Sequence, residues 1–497
     1  MRRSAALLSL VLLAPLASSS GQPVGGGGGP TERAAALAAA LDSVKPQNIS
    51  SDLYFFASDE LGGRDTPSEG LRVAARFLRS RLQRLGFQPG ARNDSYFYEY
   101  ELESPQLDGE RSWLEIEGGG ATRKLAFAKD YFFSGRGREI ADATTRGPVV
   151  FGGEGDTLDS LDLSESWVLC VDNGKSPRRL GRDAEETAAI GLIVIPGPAY
   201  EGKPFLERYG PGAERALQSG GRPRPVQGRR PASGRDMFPV IYIAADAAKG
   251  LVPEGTQPGA RLPLQITDVR ARAGQNGGRI AVENVCGFWP GSDPVLKNEV
   301  IILSAHYDHV GIRSEDGDVY NGADDNGSGS CGLLAVAEAL KNYGPLRRSV
   351  LLLWVSGEEK GLWGSYAWTQ DPYLPDGAKP ICDINIDMIG RNAPDKLLIT
   401  PTSEHKSFNG LSKLAMRLAP QEGFPVLGSA DEYWSRSDHM NFNVQLHIPV
   451  AFLFSDVHED YHQVTDTADK IDYDKVHRVV RLVVRMLDEL QGDELEL

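Results

Sequence analysis

The feature that most constrains the fold is the texture of the chain from about Arg279 onward. Here wholly apolar runs alternate with stretches whose apolar residues recur at helical spacing. "EVIILSAH", "SVLLLWVSGEE", "ICDINIDMIG" and "PVAFLF" read as buried strands. Between the first two, "NGSGSCGLLAVAEALKNYG" reads as a helix with Leu333, Val336, Ala337 and Leu340 on one face. A last helix turns Val476, Val479, Val480, Val483 and Leu487 inward. A strand that is apolar at every position must be covered on both faces. Strands and amphipathic helices in alternation therefore predict an α/β class, a mixed but mostly parallel sheet with helices on both sides.

The upstream chain differs in texture. From Thr31 to about Leu85 the pattern is helical, with Leu71, Ala75, Leu78, Leu82 and Leu85 on one face and Gly86 as a stop. Between roughly Asp130 and Thr267, short apolar runs are broken by Gly, Pro and charged loops, which predicts a small strand-rich unit. At the N-terminus, Arg2 and Arg3 precede "AALLSLVLLAPLA", followed by the small residues Ala17, Ser18 and Ser19. This reads as an export signal over 1–20, too short for a membrane anchor, and the glycine-rich 21–30 as a linker. The expected location is therefore periplasmic or extracellular.

A formal net charge of -15 without a basic cluster in the second half argues against a nucleic-acid partner. The four cysteines, Cys170, Cys286, Cys331 and Cys382, are scattered in apolar contexts and read as small buried thiols rather than disulfides or zinc knuckles.

The predicted strands end in metal-ligand residue types. "AHYDHVG" offers His306 and Asp308, "NGADDNGSG" Asp324 and Asp325, the second strand Glu358 and Glu359, the third Asp387, and "DYHQVTDT" His462. All 8 histidines lie at or after position 306. A single acid before a helix is commonly an N-cap, and a lone histidine is commonly structural. The whole set at the ends of buried strands would carry a heavy desolvation cost unless paired or metal-bound. Ligand sites of open α/β sheets lie at these strand ends, so the groups are expected to converge. Two imidazoles and three carboxylates suit two zinc ions, with one carboxylate shared and one acid of the Glu358–Glu359 pair left as a general base.

In order and spacing, "AHYDHVG", "NGADDNGSG", "SGEEKGLWGS", "INIDMIGR" and "DYHQVTDT" resemble the motifs of the secreted two-zinc aminopeptidases. That superfamily also includes glutamate carboxypeptidase and the transferrin receptor ectodomain. "ASDELGGRDTPSEGLRVAARFL" is similar to the opening of the same catalytic domain, and the strand-rich stretch resembles an inserted protease-associated (PA) domain. The resemblance implies a zinc-exopeptidase fold with catalytic segments 31–129 and 269–497 around a PA-like insert at 130–268. It also implies two Zn2+ per chain, with metal ligands His306, Asp324 (bridging, and followed by a cis peptide), Glu359, Asp387 and His462. Glu358 would be the general base, and Asp308 would orient the His306 ring. Tyr461 or Tyr433 would stabilise the oxyanion, with Tyr461 the better match. Arg436 would either bind a substrate carboxylate or pair internally with Asp438; Tyr433 and Asp438 complete the expected substrate-binding set.

The activity implied is removal of N-terminal residues from peptide substrates. A carboxypeptidase or dipeptidase of the same superfamily is the alternative. A non-catalytic receptor-like module and a single-zinc glutaminyl cyclase are remote. Side-chain preference and oligomeric state stay open.

Overall fold

The structure is a computed structural model that describes residues 30–103, 113–127, 129–133, 146–172, 174, 177–197, 224–226, 238–270, 279–312 and 317–497. The expected signal and most of the glycine linker lie outside these residues.

Among the described residues, two large sheets stand beside a two-stranded ribbon of Gly311–Ile312 and Val319–Tyr320. The larger runs Gly428–Ser429, Leu398–Thr400, Val450–Phe454, Lys379–Asp387, Glu299–His306, Ser349–Val355, Arg279–Trp289, Phe97–Glu103 and Arg224–Pro225, with Gln88–Pro89 pairing off this path. Its four central strands, from Val450–Phe454 to Ser349–Val355, are parallel, and the flanking strands add antiparallel pairs. The mixed α/β architecture expected from the apolar runs is present. Ser349–Val355 is buried at every position, so its sequence shows no alternation.

Two helices shape the surroundings of the site. Gly329–Tyr343 buries Leu333, Val336, Ala337 and Leu340, and Tyr473–Glu489 buries Val476, Val479, Val480, Val483 and Leu487. Asp472 caps the second of these, its carboxylate accepting from the Lys475 N–H at 2.9 Å. The helical stretch expected over 31–85 is divided into Pro30–Ser43, Pro46–Phe56 and Glu69–Leu85. Pro46, which cannot donate a backbone hydrogen bond, opens the second helix, and Gly62 and Gly63 at φ 53° and 65° break the chain before the third. Gly86 ends the third helix in the left-handed conformation.

The second sheet runs Ala121–Ala126, Trp113–Gly118, Arg261–Arg270, Gly147–Phe151, Trp167–Asp172, Gly191–Pro196, Val240–Ile243 and Tyr131–Phe133. It begins at Trp113, earlier than the expected boundary at 130. The hairpin turning at Gly119 and Gly120, both at positive φ, pairs with Arg261–Arg270 and buries Leu114 and Ile116 in this sheet's own core. All four cysteines are buried and unbridged. Among the described residues, no helix is long and apolar enough to cross a membrane.

Candidate metal centre

The strands Glu299–His306 and Lys379–Asp387 are neighbours, yet the chain leaves them in opposite directions. After the first it passes to Ser349–Val355 on one side, and after the second to Leu398–Thr400, Gly428–Ser429 and Val450–Phe454 on the other. Such a reversal opens a crevice at the carboxyl ends. His306 and Asp387 are the last residues of these two strands and stand at that crevice. Glu358 and Glu359 follow the next strand, and Asp325 and His462 come from loops above it.

Two clusters of ligand atoms meet there. In one, His306 Nε2 lies 3.2 Å from Asp387 Oδ1 and 3.3 Å from Asp325 Oδ1. In the other, His462 Nε2 lies 3.1 Å from Asp325 Oδ2 and 3.0 Å from Glu359 Oε1. His309 Nδ1 also stands 3.0 Å from Glu359 Oε1. Asp325 thus turns one oxygen to each cluster. Ligands in a zinc tetrahedron with bonds of about 2.0–2.2 Å sit roughly 3.3–3.6 Å apart, close to these separations. His462 Nε2, Glu359 Oε1 and both His309 ring nitrogens are buried without hydrogen-bond partners, and imidazole with carboxylate is a donor set that zinc accepts. The residues therefore fit two metal ions.

The expected bridging residue is corrected by one position. Asp324 faces away: its Oδ1 accepts the Gly390 N–H at 2.7 Å and its Oδ2 lies 3.3 Å from His458 Nε2. The cis peptide lies between Asp325 and Asn326, likewise one residue later than expected. Asp466 accepts from the backbone N–H groups of both Asp324 and Asp325, which fixes how the two side chains diverge. Nothing in the doublet "DD" distinguishes its members, because the choice depends on that distant carboxylate.

Asp308 lies against both the His306 ring and the loop that carries Glu358. Its backbone oxygen is 3.2 Å from His306 Nδ1, whereas its carboxylate accepts from the Glu358 N–H at 3.1 Å and the Thr66 hydroxyl at 3.1 Å. It therefore holds the loop carrying Glu358 as well as the His306 ring. Ser437 donates to Asp387 Oδ2 at 2.9 Å and in turn accepts from Asn385. Ligating groups are commonly oriented in this way from outside the metal shell.

A small pocket opens beside the first cluster, lined there by His306, Asp325, Glu358 and Asp387. Met388, Phe452, Phe454 and Val457 form an apolar wall, and Tyr433, Arg436 and Tyr461 complete it. Arg436 donates to the Tyr461 hydroxyl at 3.3 Å and lies over the Tyr433 ring. The Tyr433 hydroxyl is engaged with Asp456 at 3.1 Å. Asp438 is fully buried, accepts from the Ser365 hydroxyl at 2.5 Å and is absent from the pocket wall. Among the described residues Asp438 makes no ion pair with Arg436, and it is not among the residues lining this pocket.

Charge is unevenly distributed. Withdrawal from water, reinforced by Glu359 and Asp438 and opposed by His306, holds the Glu358 carboxyl well above its usual range. Burial also pushes Asp438 up to about 7. Burial would raise the Asp325 carboxyl, but the adjacent His306, His462 and His309 imidazoles outweigh it and hold the group well below the usual range.

Two residues at or beside the site, His309 and Arg64, are absent from the expected set. His309 stands in the quoted "HYDH", and its three-residue spacing from His306 was the available signal. Arg64 gave none. Its fully buried guanidinium donates to the carbonyls of Tyr307, Phe56, Asn321 and Gly322 at 2.6–3.0 Å, joining the loops that bear His309 and Asp325.

Residues 284–487 match the profile of Peptidase family M28. The M28 match covers under half of the 497 residues and includes every residue of both clusters. Among curated relatives, a probable leucine aminopeptidase of Arthroderma otae is 25% identical over 213 residues, 40% of this chain and 55% of that protein. Leupeptin-inactivating enzyme 1 of Streptomyces exfoliatus is 32% identical over 190 residues, 38% of each chain. The chain thus spans about half the length, or less, of these relatives. Among solved structures, an aminopeptidase from Aneurinibacillus sp. strain AM-1 superposes with a TM-score of 0.52 at 17% identity, covering 90% of this chain and 95% of that one. A zinc aminopeptidase from Bacillus subtilis gives 0.50 at 18% identity with the same coverage. At these identities the likeness establishes a shared fold.

Proposed function

We propose that this protein is a zinc-dependent aminopeptidase that removes N-terminal residues from peptides. The observation carrying this reading is that Asp325 turns one oxygen to each of two ligand clusters while Glu358 stands beside them in the pocket lining. Two zinc ions held by His306, Asp325 and Asp387, and by Asp325, Glu359 and His462, would polarise the scissile carbonyl and acidify water. Glu358, with its raised affinity for a proton, suits a general base that takes a proton from water and passes it to the leaving amine. The Tyr461 hydroxyl at the pocket wall suits stabilisation of the oxyanion, because the Tyr433 hydroxyl already serves Asp456. Met388, Phe452, Phe454 and Val457 suit an apolar side chain on the substrate.

The second sheet, from Trp113 to Arg270, is read as the PA-like insert, and export after cleavage of the N-terminal segment completes the proposal. Arg436 supports a second reading, a carboxypeptidase or dipeptidase. Its guanidinium faces the pocket with no acidic partner among the described residues and could hold a terminal carboxylate.

A peptide-library digest read by mass spectrometry separates the two. Progressive loss of N-terminal residues, abolished by chelation and restored by zinc, is the expected result. Faster cleavage of N-acetylated than of free-amine dipeptides transfers the proposal to the second reading, and inertness toward both sinks it.

A further inference from the structure

His309 has no assigned role, yet it is a fully buried imidazole among carboxylates. Its Nδ1 lies 3.0 Å from Glu359 Oε1 and 3.7 Å from Asp325 Oδ2, and its ring meets that of His462 edge-on with centroids 5.5 Å apart. Neither nitrogen makes a hydrogen bond among the described residues, so the close approach to Glu359 lacks hydrogen-bond direction. A buried imidazole ordinarily satisfies at least one nitrogen. Atoms of like polarity that crowd to 3 Å without bonding one another have the arrangement of ligands around a common cation.

The surroundings hold the ring there. The His309 backbone N–H donates to the Arg64 carbonyl at 3.2 Å, and the ring packs on Gly322, where an added Cβ would meet His309 Cγ at 2.4 Å. Gly322 also has a φ of +57°, so a side chain at this position would be strained as well as obstructed.

The two clusters are consequently unequal. One brings four ligand residues, His309, Asp325, Glu359 and His462, and the other brings three, His306, Asp325 and Asp387. The pocket touches His306, Asp325 and Asp387 but none of His309, Glu359 and His462. We propose that His309 is a fourth protein ligand to one metal ion, closing that ion's coordination, so that only the ion held by His306 and Asp387 offers a position to substrate. Closed four-ligand sites generally hold zinc structurally, and sites with three protein ligands keep a position open for chemistry. The four-ligand site should bind zinc the more tightly of the two.

This inference rests on the two-zinc reading above, and the experiment separates the two. The full chain is stripped of metal and titrated with zinc against chromogenic chelators of graded affinity, alongside His309→Gln and His309→Ala. Wild type is expected to bind two zinc ions in two affinity classes. His309→Gln should weaken the tighter class at least tenfold and leave the weaker class within about threefold. Thermal unfolding of the stripped proteins checks integrity, and His309→Gln should match wild type there while losing part of the zinc-induced rise in Tm. Fewer than two zinc ions in wild type defeats the two-zinc reading. Two ions in wild type with both classes unchanged in folded His309→Gln and His309→Ala overturns the role of His309, as does selective weakening of the weaker class.

Discussion

Asp324 and Asp325 are consecutive residues whose carboxylates serve different partners. Asp325 Oδ2 lies 3.1 Å from His462 Nε2, and Asp324 Oδ2 lies 3.3 Å from His458 Nε2. Their substitutions should therefore have distinct consequences. Asp325→Asn should lose bound metal and activity together. Asp324→Asn should retain both zinc ions while losing about 1.5–3 kcal/mol of stability, the range for a buried hydrogen bond to a charged group. Zinc analysis of the purified variants and denaturant unfolding read the two effects. Metal loss in Asp324→Asn with retention in Asp325→Asn would return the bridging role to Asp324.

The neighbouring glutamates diverge in the same way. Glu359 Oε1 touches both His309 and His462, whereas Glu358 lines the pocket. Glu359→Ala should empty a metal site. Glu358→Gln should keep two zinc ions and lower kcat by about 10²–10⁴, the range for a missing general base. Metal content with steady-state kinetics decides this, and a Glu358→Gln protein depleted of zinc would mean the roles are exchanged.

Arg64 contacts neither ligand cluster directly, yet it secures the loops that carry them. Removing its guanidinium strands four buried carbonyls, each with a desolvation penalty of about 1–3 kcal/mol. Arg64→Ala should therefore cost at least about 3 kcal/mol, seen as a lower denaturant midpoint. A midpoint within 0.5 kcal/mol-equivalent of wild type, roughly the scatter of a neutral surface change, would contradict this.

Metal uptake should depend on pH. Burial disfavours the charged form of His462, but attraction to the Asp325 and Glu359 carboxylates outweighs it and pushes the pKa up to about 9 in the metal-free protein. The imidazole must shed that proton to bind a metal, so zinc affinity should rise with pH until about 9. The contribution of this imidazolium to the stability of the metal-free fold has the opposite dependence. It is complete below the ordinary histidine value of about 6.5 and disappears as pH rises through about 9. Calorimetric titration with zinc in buffers of different ionisation enthalpy counts the released protons, and uptake without proton release at pH 7 would refute the assignment.

The sheet was legible because burial on both faces leaves its mark on every residue of Ser349–Val355 and Glu299–His306, and helix spacing marks Gly329–Tyr343. The hairpin from Trp113 to Ala126 also carried a signal, alternation around a Gly-Gly turn, although the domain boundary expected from local texture fell after it. His306, Glu359, Asp387 and His462 stand at strand ends or in named motifs, so residue type and position together nominated them.

By itself the sequence determined the α/β sheet and the stock of ligand-type side chains, because periodicity and residue chemistry are local properties. Only the tertiary structure decided which carboxylate of "DD" faces the ligand clusters, that His309 joins one of them, and that Asp438 withdraws from the pocket. Those outcomes are fixed by partners distant along the chain: Asp466 beneath the Asp324–Asp325 backbone, Arg64 and Gly322 around His309, and Ser365 against Asp438. Hydrogen bonds across such separations are set by how the strands and loops pack, and a run of consecutive residues carries no record of them.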